Sequence, residues 1–344
     1  MSRLGFIGLL AFVALLSSCL KEQPVTPPDP QPAESVIEEV DLGGDEFSRQ
    51  LYFDLGTGQF TGNVDRLNWD LALDCRDGHF FMWLNSANSK ESTKLTVIAP
   101  TGETQMRNVT SVDGLDNLWR WETSTGDTAL NSLGHWWHGS GSDMWSDREV
   151  YAVSRGYSHD WRDYNGTAKL QVDSISKERF VLTGGDIDGS NLTTIAVDRD
   201  ASRNFSYISF EGTMHQVDIE PAKEDWDMVF TRYVYTYDDP PDFPYPVIGV
   251  LINPSNVEVG TMMLEGGMEF DSISIYDVTG LQFSNQWDII GWDWKIFDNT
   301  GYTVDPNEVY IIKSYEGDYF KFRFLDYYND QGMRGYPKFE YAPL

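Results

Sequence analysis

Short apolar runs and alternation of apolar with polar residues dominate the chain from residue 47 onward. Residues 95–98 and 150–153 are typical apolar runs, and within residues 320–324 three phenylalanines alternate with Lys321 and Arg323. A period of two places alternate side chains on opposite faces of a strand, so this last segment predicts a half-buried strand with one apolar face. Gly, Asn, Asp and Pro separate the runs, as expected of turns between strands.

Helices are expected to be few and short. We find no long window with a 3.6-residue apolar period that is free of Gly and Pro. The pattern therefore predicts an all-β, antiparallel fold, with two related β modules packed together.

An internal sequence repeat suggests that the chain contains two copies of one module. Trp226-Asp227 lies 157 residues after Trp69-Asp70, and Phe210 lies 157 residues after Phe53. Each copy consists of a strand, a polar connection and a second strand that opens with Trp-Asp. Chance similarity is the alternative. We place an N-terminal β module at residues 47–200 and a C-terminal one at 201–344.

The charge balance excludes general nucleic-acid binding. The 344 residues include 25 Lys and Arg against 54 Asp and Glu, a net charge of -29. Such a surface repels a phosphate backbone.

The first 18 residues have the features of a secretory signal peptide. Arg3 precedes an apolar run that is too short for a comfortable membrane span. The run ends in Leu16-Ser17-Ser18-Cys19, which resembles a bacterial lipobox, whereas an ordinary signal peptide with a chance cysteine is the alternative. We expect Cys19 to carry the lipid and to anchor the protein in the outer membrane.

Residues 19–46 are expected to form a tether. This segment contains five prolines and several acidic residues, without apolar periodicity. Lys21-Glu22 resembles the short charged export signal of Bacteroidetes surface lipoproteins, which favours exposure on the cell surface.

The second half resembles the HmuY-like family of Bacteroidetes lipoproteins. The blocks that carry the resemblance, in order, are Trp226-Asp227-Met228-Val229-Phe230, residues 245–251, Ile290-Gly291-Trp292-Asp293-Trp294-Lys295, and residues 310–313, 319–328 and 338–341. The resemblance implies an all-β fold and a lipid-anchored surface protein. For the founding members it also implies capture of haem and its delivery to a TonB-dependent outer-membrane receptor.

The chain departs from the family in its haem ligands. The best known members clamp the iron between two C-terminal histidines, but no histidine follows His215 here. Related members are thought to use methionine, which makes Met262, Met263 and Met268 the candidate axial ligands. The alternative is that these methionines fill gaps in a core.

Aromatic residues supply the other candidate site. Trp136, Trp137, Trp145, Trp292 and Trp294 are candidate platforms for a porphyrin or a sugar ring, with core packing as the alternative.

Two further motifs suggest metal binding only weakly. His135 and His138 could share a metal on a helical turn, but on a strand they would point to opposite faces. Residues 186–191 alternate oxygen ligands as a calcium loop does but lack its distal Glu, so a turn is favoured and no metal site is expected.

We find no linear signature of an enzyme, such as a nucleophile elbow, a zincin motif or a phosphate-binding loop. We therefore expect a non-enzymatic surface lipoprotein that binds a ligand, with haem as the expected cofactor. The alternative is a glycan-binding or adhesive protein.

Overall fold

A computed structural model describes residues 34–86, 94–238 and 242–344. The predicted signal peptide, Cys19 and the proline-rich part of the tether lie outside the described residues. The tether ends earlier than the sequence pattern indicates, because Val36–Glu39 forms a strand that pairs with the C-terminal strand of the chain.

The described residues form 22 strands and five short 3₁₀ helices. The strands are β1 (Val36–Glu39), β2 (Arg49–Asp54), β3 (Gln59–Asp65), β4 (Leu71–Asp74), β5 (Met82–Leu84), β6 (Thr96–Pro100), β7 (Trp137–His138), β8 (Trp145–Ser146), β9 (Val150–Arg155), β10 (Thr167–Ile175), β11 (Arg179–Asp186), β12 (Thr193–Asp198), β13 (Phe205–Ser209), β14 (His215–Val217), β15 (Met228–Tyr237), β16 (Phe243–Ile252), β17 (Glu258–Met263), β18 (Lys295–Phe297), β19 (Tyr302–Val304), β20 (Glu308–Lys313), β21 (Tyr319–Tyr328) and β22 (Arg334–Pro343). The 3₁₀ helices are Gly44–Glu46, Met106–Asn108, Thr128–Leu130, Phe270–Ser272 and Ile275–Val278.

The predicted all-β antiparallel fold is confirmed. Every strand pair is antiparallel, and the described part of the chain contains 3₁₀ turns in place of longer helices. Within these residues no helix has the length and apolarity needed to span a bilayer.

Two five-stranded sheets have the same internal order. One runs β12-β11-β10-β9-β6, and the other runs β1-β22-β21-β20-β17. Strands β6, β9, β10 and β11 therefore correspond in order to β17, β20, β21 and β22. The edge strands β12 and β1 correspond in the same way, since each precedes a short hairpin along the chain.

The two hairpins are exchanged between the repeated parts. Hairpin β2–β3 pairs with β15 in a sheet of order β16-β15-β2-β3, whereas hairpin β13–β14 pairs with β4 in a sheet of order β14-β13-β4-β5. Each repeat thus completes a sheet that begins in the other. The division into separate domains at residue 200 stays a prediction.

The repeated Trp-Asp pairs occupy equivalent positions. The backbone N–H of Asp70 donates to the carbonyl oxygen of Ile208 at 2.8 Å, and that of Asp227 donates to Phe53 at 2.9 Å. Each carboxylate then accepts a backbone N–H two residues further along the chain, from Phe210 or Leu55, just beyond the end of the strand.

A buried lysine repeats in the same manner. Lys169 of β10 donates to the carbonyl oxygens of Met106 and Val109, at the two ends of one 3₁₀ helix. Lys321 of β21 donates to Phe270 and Ile273, at the two ends of another. The shared arrangement supports duplication over chance similarity, because it involves four separate elements.

Candidate ligand-binding site

An exposed cluster of aromatic rings lies on the β15–β16 hairpin. We call it the aromatic face, and it consists of Tyr235, Tyr237, Phe243, Tyr245 and Trp292. Tyr235 lies opposite Tyr245 in the strand register, and Tyr237 lies opposite Phe243. Directly opposed residues of an antiparallel pair share a face of the sheet, which brings the four hairpin rings together.

The five rings are in mutual contact. Tyr237 stacks on Phe243 with ring centroids 4.9 Å apart and an interplanar angle of 19°. The Trp292 ring lies 5.8 Å from Tyr235 and 5.7 Å from Tyr245. Phe243 and Tyr245 are each 41% exposed, so the cluster opens to solvent.

The sequence of β16 explains why this hairpin can present an open aromatic surface. Pro244 and Pro246 flank Tyr245, and β16 is the edge strand of its sheet. Proline has no backbone N–H, so it is tolerated on an edge strand and discourages pairing with another strand. The ring surface is therefore left available to a ligand.

Burial raises the pKa of two phenols of the aromatic face, Tyr235 and Tyr237. The carboxylates of Asp238, Asp288 and Asp293 raise the pKa of Tyr235 further. These groups therefore act through their ring faces and as O–H donors, and a phenolate ligand for a metal is disfavoured.

A separate interior cavity of about 130 Å³ lies between the two four-stranded sheets. Its lining includes the aromatic residues Trp69, Trp83, Tyr207, Trp226 and Trp287. An apolar cavity of roughly 150 Å³ holds benzene, whereas pockets for drug-sized ligands run to roughly 300–1,000 Å³. This cavity therefore has room for about one small ring and is too small to enclose a porphyrin.

The three candidate methionines lie around strand β17. Met262 packs beside buried Phe270 and Val309, whereas Met263 is 46% exposed and lies opposite Glu308 in the register. Met268 is 38% exposed in the turn that follows. Met262 and Met263 are successive strand residues and point to opposite faces, so they do not converge on one site.

Three of the five candidate tryptophans are buried. Trp136, Trp137 and Trp294 are 2%, 8% and 2% exposed. These three indoles pack in the core, whereas a binding platform must lie on the surface. For example, the Trp294 ring stacks on the Phe324 ring with centroids 3.8 Å apart. Trp145 is 57% exposed on β8, and Trp292 is half-buried within the aromatic face.

The candidate metal motifs are accounted for by local contacts. The ring Nε2 of His138 lies 2.6 Å from a carboxylate oxygen of Asp147. Residues 186–191 form a turn in which Ser190 and Asn191 donate to the Asp186 carboxylate. Within the described ranges no group of three or more His, Cys, Asp and Glu side chains is placed to hold a metal ion.

Sequence reasoning identified Trp292 but missed the four hairpin rings. The usable signal was the alternation of Tyr233, Tyr235 and Tyr237, followed after a short polar connection by Phe243 and Tyr245. A period of two in aromatic residues predicts one aromatic face on a hairpin.

The chain was compared with known families and proteins. Residues 235–341 match the family model of the HmuY protein, which confirms the resemblance for this part of the chain. The matched segment begins at Tyr235 and contains the whole aromatic face.

Solved structures share low identity with the chain. Apo PinO from Porphyromonas gingivitis is 12% identical, with 90% of this chain and 97% of that chain covered, and has a TM-score of 0.33. The apo HmuY analog from Tannerella forsythia is 15% identical, with 44% and 84% covered, and has a TM-score of 0.23. No curated protein matches the chain.

Proposed function

We propose that this protein is a non-enzymatic, lipid-anchored surface protein that binds haem on the aromatic face. The open cluster of five contacting rings is the observation that carries the proposal. It offers a flat apolar surface to a flat apolar macrocycle, and stacking of aromatic rings in offset or edge-on geometry is favourable. The resemblance to the HmuY family supports haem as the ligand.

The size of the interior cavity supports a surface site. A ligand as large as a porphyrin cannot occupy a cavity of about 130 Å³. On the aromatic face, by contrast, a large ring system can lie against Tyr237, Tyr245 and Trp292 with its polar edge in solvent.

The residues of the aromatic face fit the porphyrin ring but do not supply an imidazole or a thioether. Haem bound there would supply an iron that takes axial ligands from the protein. The raised pKa values of Tyr235 and Tyr237 favour their protonated forms, so their part is to stack on the ring and to donate hydrogen bonds. Ligation by Met262, Met263 or Met268 stays a prediction.

We also propose a lipid anchor and a partner protein in the outer membrane. Acylated Cys19 would hold the protein in the outer membrane, with the binding domain on the cell surface. A TonB-dependent outer-membrane receptor is the proposed acceptor of the ligand.

A haem titration tests the proposed function. Added haem should give a shifted Soret band and quench tryptophan fluorescence, because Trp292 lies in the aromatic face. A spectrum that remains that of free haem, together with unquenched fluorescence, would remove haem from the account.

Glycan binding is the second candidate function. The observation that favours it is the exposed indole of Trp145, which lies 5.5 Å from the His138 ring in a separate two-stranded hairpin. Glycan-array binding that is lost in Trp145→Ala, without any Soret band, would put this function first.

A further inference from the structure

Among the described residues, no carboxylate is paired with the buried guanidinium of Arg232. Its side chain belongs to β15 and is 7% exposed. Its Nε has no hydrogen-bond partner among the described residues. A buried charge without a partner costs several kcal/mol, which makes this arrangement unfavourable in the ligand-free protein.

A second arginine adds to the positive charge. The guanidinium carbons of Arg66 and Arg232 each lie 4.7 Å from the centroid of the Trp161 ring. Arg66 is 1% exposed and donates from Nε to the carbonyl oxygen of Phe47 at 2.8 Å. Arg66 repels Arg232, although the carboxylates of Asp65 and Glu46 offset part of the charge of Arg66, so an anion beside Arg232 would be stabilised.

The loop that carries Trp161 is held in a strained conformation. Trp161 has a φ of 64°, in the left-handed region that disfavours a bulky residue. Its backbone N–H donates to Ser158, and neighbouring His159 lies 2.8 Å from the Asp65 carboxylate. Strain of this kind costs about 1–3 kcal/mol and is concentrated at functional sites.

Phenols and one further cation also act on Arg232 electrostatically. Burial lowers the pKa of Arg232 to about 10, and Tyr327, Arg334, Tyr245 and Tyr302 also act on it. The side chain therefore stays charged at neutral pH. Tyr245, a member of the aromatic face, is therefore among the groups that act electrostatically on Arg232.

We propose that Arg232 binds a carboxylate group of a ligand beside the Trp161 loop. An arginine fork matches a carboxylate geometrically, and the indole wall keeps water away from the pair. This assignment rests on the proposed function only in naming haem as the ligand. Haem fits because its two propionates are carboxylates. A small free carboxylate has the same chemistry.

Benzoate tests the anion site independently of haem. Benzoate should raise the melting temperature of the protein, whereas benzamide, its neutral isostere, should not. Arg232→Met should weaken benzoate binding by roughly tenfold or more, equal to about 1.4 kcal/mol. Arg179→Met, at a half-exposed arginine on β11 that pairs with Asp198, is the matched control and should bind benzoate as the parent does.

Stability of the ligand-free variants gives a second readout. Without ligand, Arg232→Met should melt at or above the temperature of the parent, because it removes an uncompensated buried charge. A variant that melts lower or does not fold would mean that the guanidinium stabilises the ligand-free protein, and this would overturn the assignment. Arg232→Lys should keep the charge but bind benzoate more weakly than arginine does.

Porphyrins separate this assignment from the proposed function. The parent should prefer protoporphyrin over its dimethyl ester, and Arg232→Met should lose the preference. If benzoate binds through Arg232 but no porphyrin binds, the assignment stands and the proposed function fails. If protoporphyrin and its dimethyl ester bind equally and benzoate does not bind, the assignment fails and the proposed function stands.

Discussion

The indole of Trp226 meets the phenol ring of Tyr52 edge to face, with ring centroids 5.0 Å apart and an interplanar angle of 79°. Trp69 meets Tyr207 in the same way, at 5.0 Å and 81°. Each contact joins the Trp-Asp pair of one repeat to the exchanged hairpin of the other. The two repeats are therefore held together through a pair of matching aromatic contacts.

Replacing Trp226 with alanine should destabilise the protein strongly. The side chain is 3% exposed, and Trp→Ala changes in a core cost about 3–5 kcal/mol. Denaturant unfolding measures the change, with Trp145→Ala as the exposed control that should fall within about 0.5 kcal/mol of the parent. A Trp226→Ala protein that is as stable as the parent but binds no ligand would move this residue into the binding site.

Stability should fall with rising pH because of Glu122. Burial raises the pKa of Glu122 to about 8, although hydrogen bonds from Ser132 and the Leu84 N–H oppose the shift. Between the unfolded pKa near 4.5 and about pH 8, the folded state keeps a proton that the unfolded state has lost. The contribution of this group is therefore largest at low pH and is lost as the pH rises through that window.

The free energy of unfolding of the parent relative to Glu122→Gln measures this effect. The difference should fall by up to roughly 1.4 kcal/mol for each pH unit within the window. Glu178→Gln, at an exposed position, is the matched control. A difference that grows with pH would show that the buried carboxyl is ionised in the folded protein.

Local patterns predicted the strands and the repeated Trp-Asp pairs, but they could not predict the hairpin exchange. Each hairpin could pair with either β4 or β15, because the two hairpins have similar edges. Which strand a hairpin pairs with depends on contacts between residues far apart in sequence, such as Tyr52 and Trp226. The burial of Arg232 could not be predicted either. An arginine within a strand is normally a solvent-facing residue, and its burial becomes visible only once Trp161 is placed over it.

The burial of the candidate tryptophans could not be predicted from local patterns either. The glycines around Trp136 and Trp137 indicate a loop, and loops normally lie on the surface. Here the two indoles pack against Phe180 and Phe81 of the core.

Cys19→Ala should release the protein from the membrane. The lipobox makes Cys19 the predicted acylation site, and without its lipid the tether has no anchor. Partition between detergent and aqueous phases measures the change, and Cys75→Ala, at a buried free cysteine, is the control. A Cys19→Ala protein that remains in the detergent phase would contradict the predicted anchor.

Methionine ligation predicts a redox-dependent spectrum. A soft thioether favours ferrous over ferric iron, so bound haem should show a sharper, shifted Soret band under dithionite than in air. The triple change Met262→Ala, Met263→Ala and Met268→Ala should abolish this difference. If the difference persists in the triple variant, these methionines are not the ligands.

Haem titration of a variant of the aromatic face tests the central claim most directly. Soret absorbance and tryptophan quenching should saturate in the parent and in the exposed control Trp145→Ala. In the double variant Tyr237→Ala and Trp292→Ala, affinity should fall by roughly tenfold or more, since each aromatic contact contributes about 0.5–1.5 kcal/mol beyond its buried area. Haem binding to the double variant with the affinity of the parent would show that the aromatic face is not the site.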